Sequence, residues 1–128
     1  MFETFAKKNA DWMYTLFRVV VGAVFFEHGS MKLFGWFGAK GVAPLMSLFG
    51  LAGLIEVIGG LLLILGLWTR LVALVGGIEM LYALVMVHFK NGFNPLANGG
   101  EPALLFLAAF LVLFSHGAGR SGIDSKKN

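Results

Sequence analysis

The sequence predicts an all-α fold, an integral membrane four-helix bundle, and three observations lead to that prediction. The chain of 128 residues is 58% hydrophobic and only 13% charged, and its mean hydropathy is +0.81. A soluble protein of this size needs a large polar surface, which this composition does not supply. Four apolar runs fill most of the chain, and polar breaks that contain Gly and Pro separate them. Several basic residues flank the runs, as they do in membrane proteins.

The four apolar runs differ in length. Residues 12–34 and 45–68 each exceed the roughly 20 apolar residues that cross a bilayer, and residues 71–89 come close to that length. The fourth run is short as 102–115 and approaches spanning length as 101–118. The first run is too long for a signal-peptide core and contains Arg18, Glu27 and His28, so we expect a retained helix. Residues 1–128 are therefore expected to form one transmembrane domain.

Charge predicts the orientation. Four spans put both termini and the break at 68–70 on one side of the membrane. That side carries Lys7, Lys8, Arg18, Arg70, Arg120, Lys126 and Lys127, and the other carries Lys32, Lys40 and Lys90. The excess of seven over three predicts a multi-pass protein of the cell (inner) membrane with both termini in the cytoplasm.

Composition also argues against other classes of function. The net charge is +3, but the basic residues form no stripe with interleaved aromatic residues, so we expect no nucleic-acid partner. The absence of cysteine removes iron–sulfur and thiolate zinc sites. No metal site and no catalytic residue is indicated.

Ionisable residues within the runs are the candidate functional residues. Each costs roughly 2.5–3.5 kcal/mol at the centre of a membrane helix, so such residues mark functional sites by default. The predicted topology places most of them between the middle of the membrane and its outer face. The candidates for ligand binding or proton relay are His28, Lys32, Glu56, Glu79, His88 and Glu101.

Glycines on the same helix faces predict how the helices pack. At 100° per residue, Arg18, Gly22, Phe25, Gly29 and Lys32 form one stripe, and Glu27 points almost opposite. Small residues let membrane helices approach closely. The predicted packing glycines are Gly22, Gly29, Gly53, Gly59, Gly60 and Gly76. We expect the carboxylate of Glu56, Glu79 or Glu101 to pair with Lys32 and His28 across the bundle. The alternative is that these polar contacts only fix the order of the helices and carry no chemistry.

Several segments resemble the DoxX family of small membrane proteins. They are the pattern "R…G..F..HG..KLFG" in residues 18–35, "LIEVIGGLLLILGLWTR" (54–70), "VHFKNGF" (87–93), "GGEPALL" (99–105) and the tail "GAGRSGID" (117–124). The resemblance covers nearly the whole chain and implies a four-helix membrane bundle. It also implies a subunit of, or accessory to, a membrane redox complex.

The sequence is compatible with three functions. The first is a redox-associated subunit that binds a quinone-like or lipid ligand in an intramembrane polar site, with electrons supplied by a partner protein. The second is a structural or assembly protein without catalytic activity. The third is a small proton-coupled transporter, which would require a homo-oligomer. Haem bound by His28 and His88 is not expected, because two histidines alone are a weak signal.

Overall fold

A computed structural model describes residues 1–39 and 41–126 of the chain. Throughout these residues the regular structure is helical, with no strand. The helices are α1 (Phe2–Lys8), α2 (Ala10–Phe34), α3 (Leu48–Leu65), α4 (Thr69–Ala83), α5 (Pro95–Asn98), α6 (Glu101–His116) and α7 (Ile123–Lys126). A π-helical turn at Leu84–His88 and a 3₁₀ turn at Phe89–Asn91 continue α4.

The second predicted run is longer than the helix it contains. Residues 45–68 were expected to be helical, whereas α3 begins at Leu48 and ends at Leu65. Ser47 is the N-cap, and its hydroxyl accepts a hydrogen bond of 3.0 Å from the backbone N–H of Gly50. Gly66 ends the helix in a left-handed conformation (φ 70°), which glycine adopts without steric cost.

The third and fourth helices also differ from the predicted runs at their ends. Helix α4 begins at Thr69 and not at residue 71, because the Asp124 carboxylate accepts hydrogen bonds from the N–H groups of Trp68 (2.8 Å) and Thr69 (2.9 Å). Carboxylates cap helix N-termini in this way. Helix α6 ends at His116, since Gly117 leaves the helical conformation with φ 74°.

Within the described residues, two helical segments are long and apolar enough to cross a membrane by length and composition, Leu48–Leu65 and Thr69–Asn91. Helix α6 is apolar but shorter, and α2 is longer than either. Helix α2 also carries Asp11, Arg18, Glu27 and Lys32. A crossing by all four helices therefore stays a prediction.

Helices α2 and α3 form the most extensive contact in the structure, and glycines make it possible. A Cβ atom added at Gly60 would lie 2.5 Å from the backbone nitrogen of Phe26, and one at Gly22 would lie 2.8 Å from the Gly60 carbonyl oxygen. Gly29 is equally confined, because a Cβ atom added there would lie 2.6 Å from the backbone nitrogen of Val57. Any side chain at these positions would push the two backbones apart.

Helix α4 packs mainly on α6, and aromatic rings join this pair to the first. A Cβ atom at Gly76 would lie 2.8 Å from the ring of Phe110, which is fully buried. Phe110 in turn contacts Phe25 of α2 edge to face, with ring centroids 4.9 Å apart. Gly59 lies against Phe25 as well, with 3.2 Å from a Cβ to the ring. The core is thus centred on large rings between two glycine-rich contacts.

We expect Gly60→Ala to lower the melting temperature in detergent, because its methyl group would meet the backbone of α2. Gly77→Ala is the matched control. A Cβ there meets its nearest neighbour at 3.8 Å, an ordinary contact, and alanine favours a helix by about 1 kcal/mol over glycine. Thermal unfolding of both variants is the measurement. Equal melting temperatures for Gly60→Ala and the wild type would contradict the packing described above.

Candidate functional site

An ion pair joins Lys32, in the last turn of α2, to Glu56, which lies midway along α3. Lys32 Nζ lies 2.6 Å from both Oε1 and Oε2 of Glu56, so one ammonium group binds both carboxylate oxygens. The Glu56 side chain is 3% exposed and that of Lys32 is 17% exposed. Such a pair is costly to break, because removing either partner leaves an uncompensated buried charge.

The glycine-lined contact sets the distance across this pair. A Cβ at Gly29 would lie 2.8 Å from Glu56 Cβ, and one at Gly53 would lie 3.1 Å from Lys32 Cβ. The pair therefore forms only because neither position carries a side chain. Lys32 Nζ also lies 5.1 Å from the centre of the Phe49 ring, a cation–π distance. The ammonium group is held between a carboxylate and an aromatic face.

Glu79 on α4 adds a second carboxyl group that the ion pair does not satisfy. It lies close enough to Glu56 and Lys32 to interact electrostatically with both. Its side chain is half-buried, and Oε1 is a buried atom with no hydrogen-bond partner in the described residues. Buried polar atoms are nearly always paired, so an unpaired one calls for an explanation. This oxygen is available to a ligand or a water molecule.

The candidate residue His28 lies against an aromatic ring of α6. The ring of the half-buried His28 meets Phe106 edge to face at 5.5 Å, and Phe106 lies 5.4 Å from Phe25. No hydrogen bond or ion pair of His28 is found within residues 1–39 and 41–126. His28 thus presents ring nitrogens beside an apolar, aromatic wall. Ligand sites commonly combine such a wall with a few polar groups.

Two sequence candidates lie apart from this cluster. His88, on the π-helical turn, has its Nδ1 3.2 Å from the carbonyl oxygen of Asn98, so it ties this turn to α5. Glu101 is exposed in the first turn of α6. Of the three acids expected near Lys32, the structure pairs it with Glu56, keeps Glu79 close and leaves Glu101 in the open. No group of three or more metal-ligating side chains occurs in the described part of the chain.

The sequence reasoning missed a second polar cluster at the opposite end of the helices. Arg18 was counted among the basic residues of the membrane surface, but it is 2% exposed. Its guanidinium donates to the carbonyl oxygens of Leu63 (2.9 Å), Ile64 (3.4 Å) and Ala118. The signal was present, because Arg18 lies on the glycine stripe that turns inward.

The tail that resembles the family's ending completes this second cluster. Tyr14 donates a hydrogen bond of 2.6 Å to the Gly117 carbonyl, and Arg70 donates one of 2.9 Å to the carbonyl of Phe114. The backbone N–H of Asp124 donates to the Gly66 carbonyl at 2.9 Å, while its carboxylate caps α4. The tail therefore binds α2, α3 and α4 at one end of the molecule.

Comparisons with known proteins agree with the sequence resemblance. Residues 13–89 match the family described as DoxX. An uncharacterized protein of Haemophilus influenzae is 38% identical over 94% of both chains. A Bacillus subtilis protein named "Putative oxidoreductase CatD" is 34% identical over 73% of this chain and 72% of its own. An uncharacterized membrane protein of Mycobacterium tuberculosis is 28% identical over 85% and 77%, and no solved structure matches.

A double-mutant cycle tests the arrangement of the polar groups. We expect Lys32→Met and Glu56→Gln each to destabilise the protein, and the double variant to be less affected than their sum, because the second change removes the charge that the first exposed. A coupling free energy of about 0.5 kcal/mol or more, measured by unfolding in detergent, is the expected result. Lys32 should also couple with Glu79.

Two controls accompany the cycle. The exposed pair Lys7–Glu3 has a similar separation of 2.9 Å but should show almost no coupling, since solvent screens it. Changes at Lys32 and Glu101 should be additive. Additive effects of Lys32 with both Glu56 and Glu79 would contradict the cluster.

Proposed function

Because the chain belongs to the DoxX family of membrane proteins, we propose that α2, α3, α4 with its continuation, and α6 cross the cell membrane as one four-helix domain. The spans correspond to about residues 12–34, 45–68, 71–89 and 101–118. Exposed large apolar side chains along all four helices support this proposal, since Leu16, Leu51, Leu74 and Leu111 are each about half exposed or more. Lipid covers such surfaces in membrane proteins.

We infer that both termini lie in the cytoplasm. The charge count that favours this includes Lys40 and Lys127, which lie outside the described residues. Arg18 leaves the count because it is buried and bound to backbone carbonyl groups. Six basic residues against three then remain, and the excess still favours a cytoplasmic location for the termini.

Reporter fusions test this orientation. A reporter that is active only in the cytoplasm, fused to either terminus, is expected to be active. The same reporter inserted after Gly92, an exposed glycine in the loop before α5, should be inactive. A periplasmic signal at the C-terminus would contradict the orientation.

The function that the geometry supports best is that of an accessory subunit in a membrane redox complex, with a quinone-like ligand bound between the helices. The unpartnered Oε1 of Glu79 is the observation that carries this proposal. Glu79 interacts with the Lys32–Glu56 pair, in which Lys32 binds both oxygens of Glu56. The ring of His28 on α2 lies against Phe106 of α6 and adds a polar group with an apolar neighbour. A relative named as an oxidoreductase supports the redox context.

The residues of the site suit the two forms of such a ligand. A hydroquinone hydroxyl donates a hydrogen bond, and the free oxygen of Glu79 accepts one. A quinone carbonyl accepts, and the His28 ring is a donor on whichever nitrogen carries the proton. Glu79, the carboxyl group outside the ion pair, then carries protons to and from the bound ring. A partner protein donates two electrons when the quinone is reduced and takes up two when the hydroquinone is oxidised, and this chain binds the ring and moves the two protons.

A structural role is the second candidate, and one observation favours it. The pair Lys32–Glu56 is complete without a ligand, since both carboxylate oxygens are bound. In that case the Lys32–Glu56 pair only fixes how α2 packs on α3. The unpaired oxygen of Glu79 is then an unfavourable feature that the fold tolerates and that has no function. The two candidates differ in what a change at Glu79 does.

Purification in mild detergent followed by mass spectrometry of extracted small molecules separates them. A quinone is expected to co-purify with the wild-type protein and to fall at least about fivefold in Glu79→Gln, because an amide oxygen accepts a weaker hydrogen bond than a carboxylate does and takes up no proton. Glu27→Gln is the matched control, because Glu27 is exposed on the same stretch of α2 as His28. Wild-type protein without quinone, together with a more stable Glu79→Gln variant, would favour the structural role.

A further inference from the structure

A groove unrelated to the polar site runs along the other end of α2. Its volume is about 510 Å³, and its walls are the first turns of α2 and the segment 120–121 of the tail. The hydroxyl groups of Thr15 and Ser121 lie 2.5 Å apart and hold the two walls together. The groove therefore belongs to the folded protein and does not depend on a loose terminus.

One wall of the groove is apolar. Trp12, Leu16 and Val19 recur at intervals of four and three residues, so they share one face of α2. Trp12 and Leu16 are each 53% exposed. At 1.5 Å per residue, the stretch from Asp11 to Val19 is about 12 Å long. That length accommodates a lipid headgroup region and the first part of an acyl chain.

The mouth of the groove carries two opposite charges. Arg120 Nε lies 3.4 Å from Asp11 Oδ2, and the side chains are 86% and 66% exposed. Exposed pairs of this kind contribute little to stability and exchange partners readily. The guanidinium is a donor for a phosphate group and the carboxylate is an acceptor for an ammonium group.

We propose that this groove binds one phospholipid whose headgroup carries a phosphate and a primary ammonium group. Arg120 binds the phosphate, Asp11 binds the ammonium, and an acyl chain lies along Trp12, Leu16 and Val19. The proposal relies on the membrane placement of α2 proposed above, because that placement puts the apolar wall in the bilayer and the charges at its surface. Trp12 fits this boundary, since tryptophan is enriched at membrane interfaces.

Charge complementarity selects this headgroup over the other common ones. An anionic headgroup without an amine would leave the Asp11 carboxylate beside a second negative charge. A choline headgroup has a quaternary ammonium with no N–H donor, so it forms no hydrogen bond with Asp11. The ethanolamine type supplies a partner for each charge of the opened pair.

Native mass spectrometry of the full chain in detergent tests the proposal. The protein is offered equal amounts of phosphatidylethanolamine, phosphatidylcholine and phosphatidylglycerol with the same acyl chains. We expect one phosphatidylethanolamine to be retained at least about fivefold over the other two, and the preference to disappear in Asp11→Asn and in Arg120→Gln. Lys7→Gln, which changes another exposed ion pair outside the groove, is the control and should keep the preference.

The remaining outcomes decide against the proposal. Equal retention of the three lipids would mean that the measurement detects only non-specific lipid bound to the apolar surface. Arg120→Gln could abolish lipid binding while Asp11→Asn has no effect. That result would mean that the groove recognises the phosphate group alone. Displacement of the lipid by soluble phosphoethanolamine would identify the headgroup without the chain as the true ligand. Glu79→Gln should keep the preference for phosphatidylethanolamine, because Glu79 lies outside the groove. A failure of the lipid proposal is therefore distinguishable from a failure of the proposed quinone site.

Discussion

The close approach of α2 to α3 is the constraint on which the rest of the structure depends. Gly22, Gly29 and Gly60 bring the two backbones so near that an added methyl group would meet main-chain atoms at 2.5–2.8 Å. At that separation Lys32 reaches both oxygens of Glu56. An ordinary helix contact, at 8–10 Å between axes, leaves side chains between the backbones. Here the glycines remove those side chains, and the charged pair occupies the end of the contact.

The Lys32–Glu56 pair explains why one oxygen of the Glu79 carboxyl group has no hydrogen-bond partner among the described residues. Lys32 has one positive charge, and Glu56 takes it with both oxygens, so the carboxyl group of Glu79 stays next to the pair without a matching cation. The free oxygen of Glu79 is therefore a consequence of how α2 and α3 pack, although Glu79 itself lies on α4. The π-helical turn follows Glu79 by less than two helical turns, and such turns are frequent at functional sites.

Periodic features of the fold could be predicted from the sequence, and pairings could not. Glycines at helical spacing predicted the contact faces, and the structure places Gly22, Gly29, Gly53, Gly59, Gly60 and Gly76 against neighbouring helices. The choice of Glu56 over Glu101 depends on the depth and crossing of the helices, which no single helix encodes. Arg18 was misread because a basic residue near a span end resembles a surface charge, whereas its position on the glycine stripe turns it inward. Its partners are backbone carbonyl groups, which leave no trace in the sequence.

The two ends of the helices are held by different kinds of interaction, and this difference bears on where a ligand can enter. At the end with the termini, Tyr14, Arg18 and Arg70 donate to carbonyl groups of the last turns of α3 and α6 and of the tail. Many bonds would have to break together for the helices to separate there. In the described part of the chain, the opposite end has the Lys32–Glu56 pair and the glycine contact between α2 and α3, while Phe106 of α6 contacts the rings of Phe25 and His28 of α2. For the ligand that we propose, we therefore expect entry at this opposite end, between α2 and α6, while the hydrogen-bonded end with the termini stays closed.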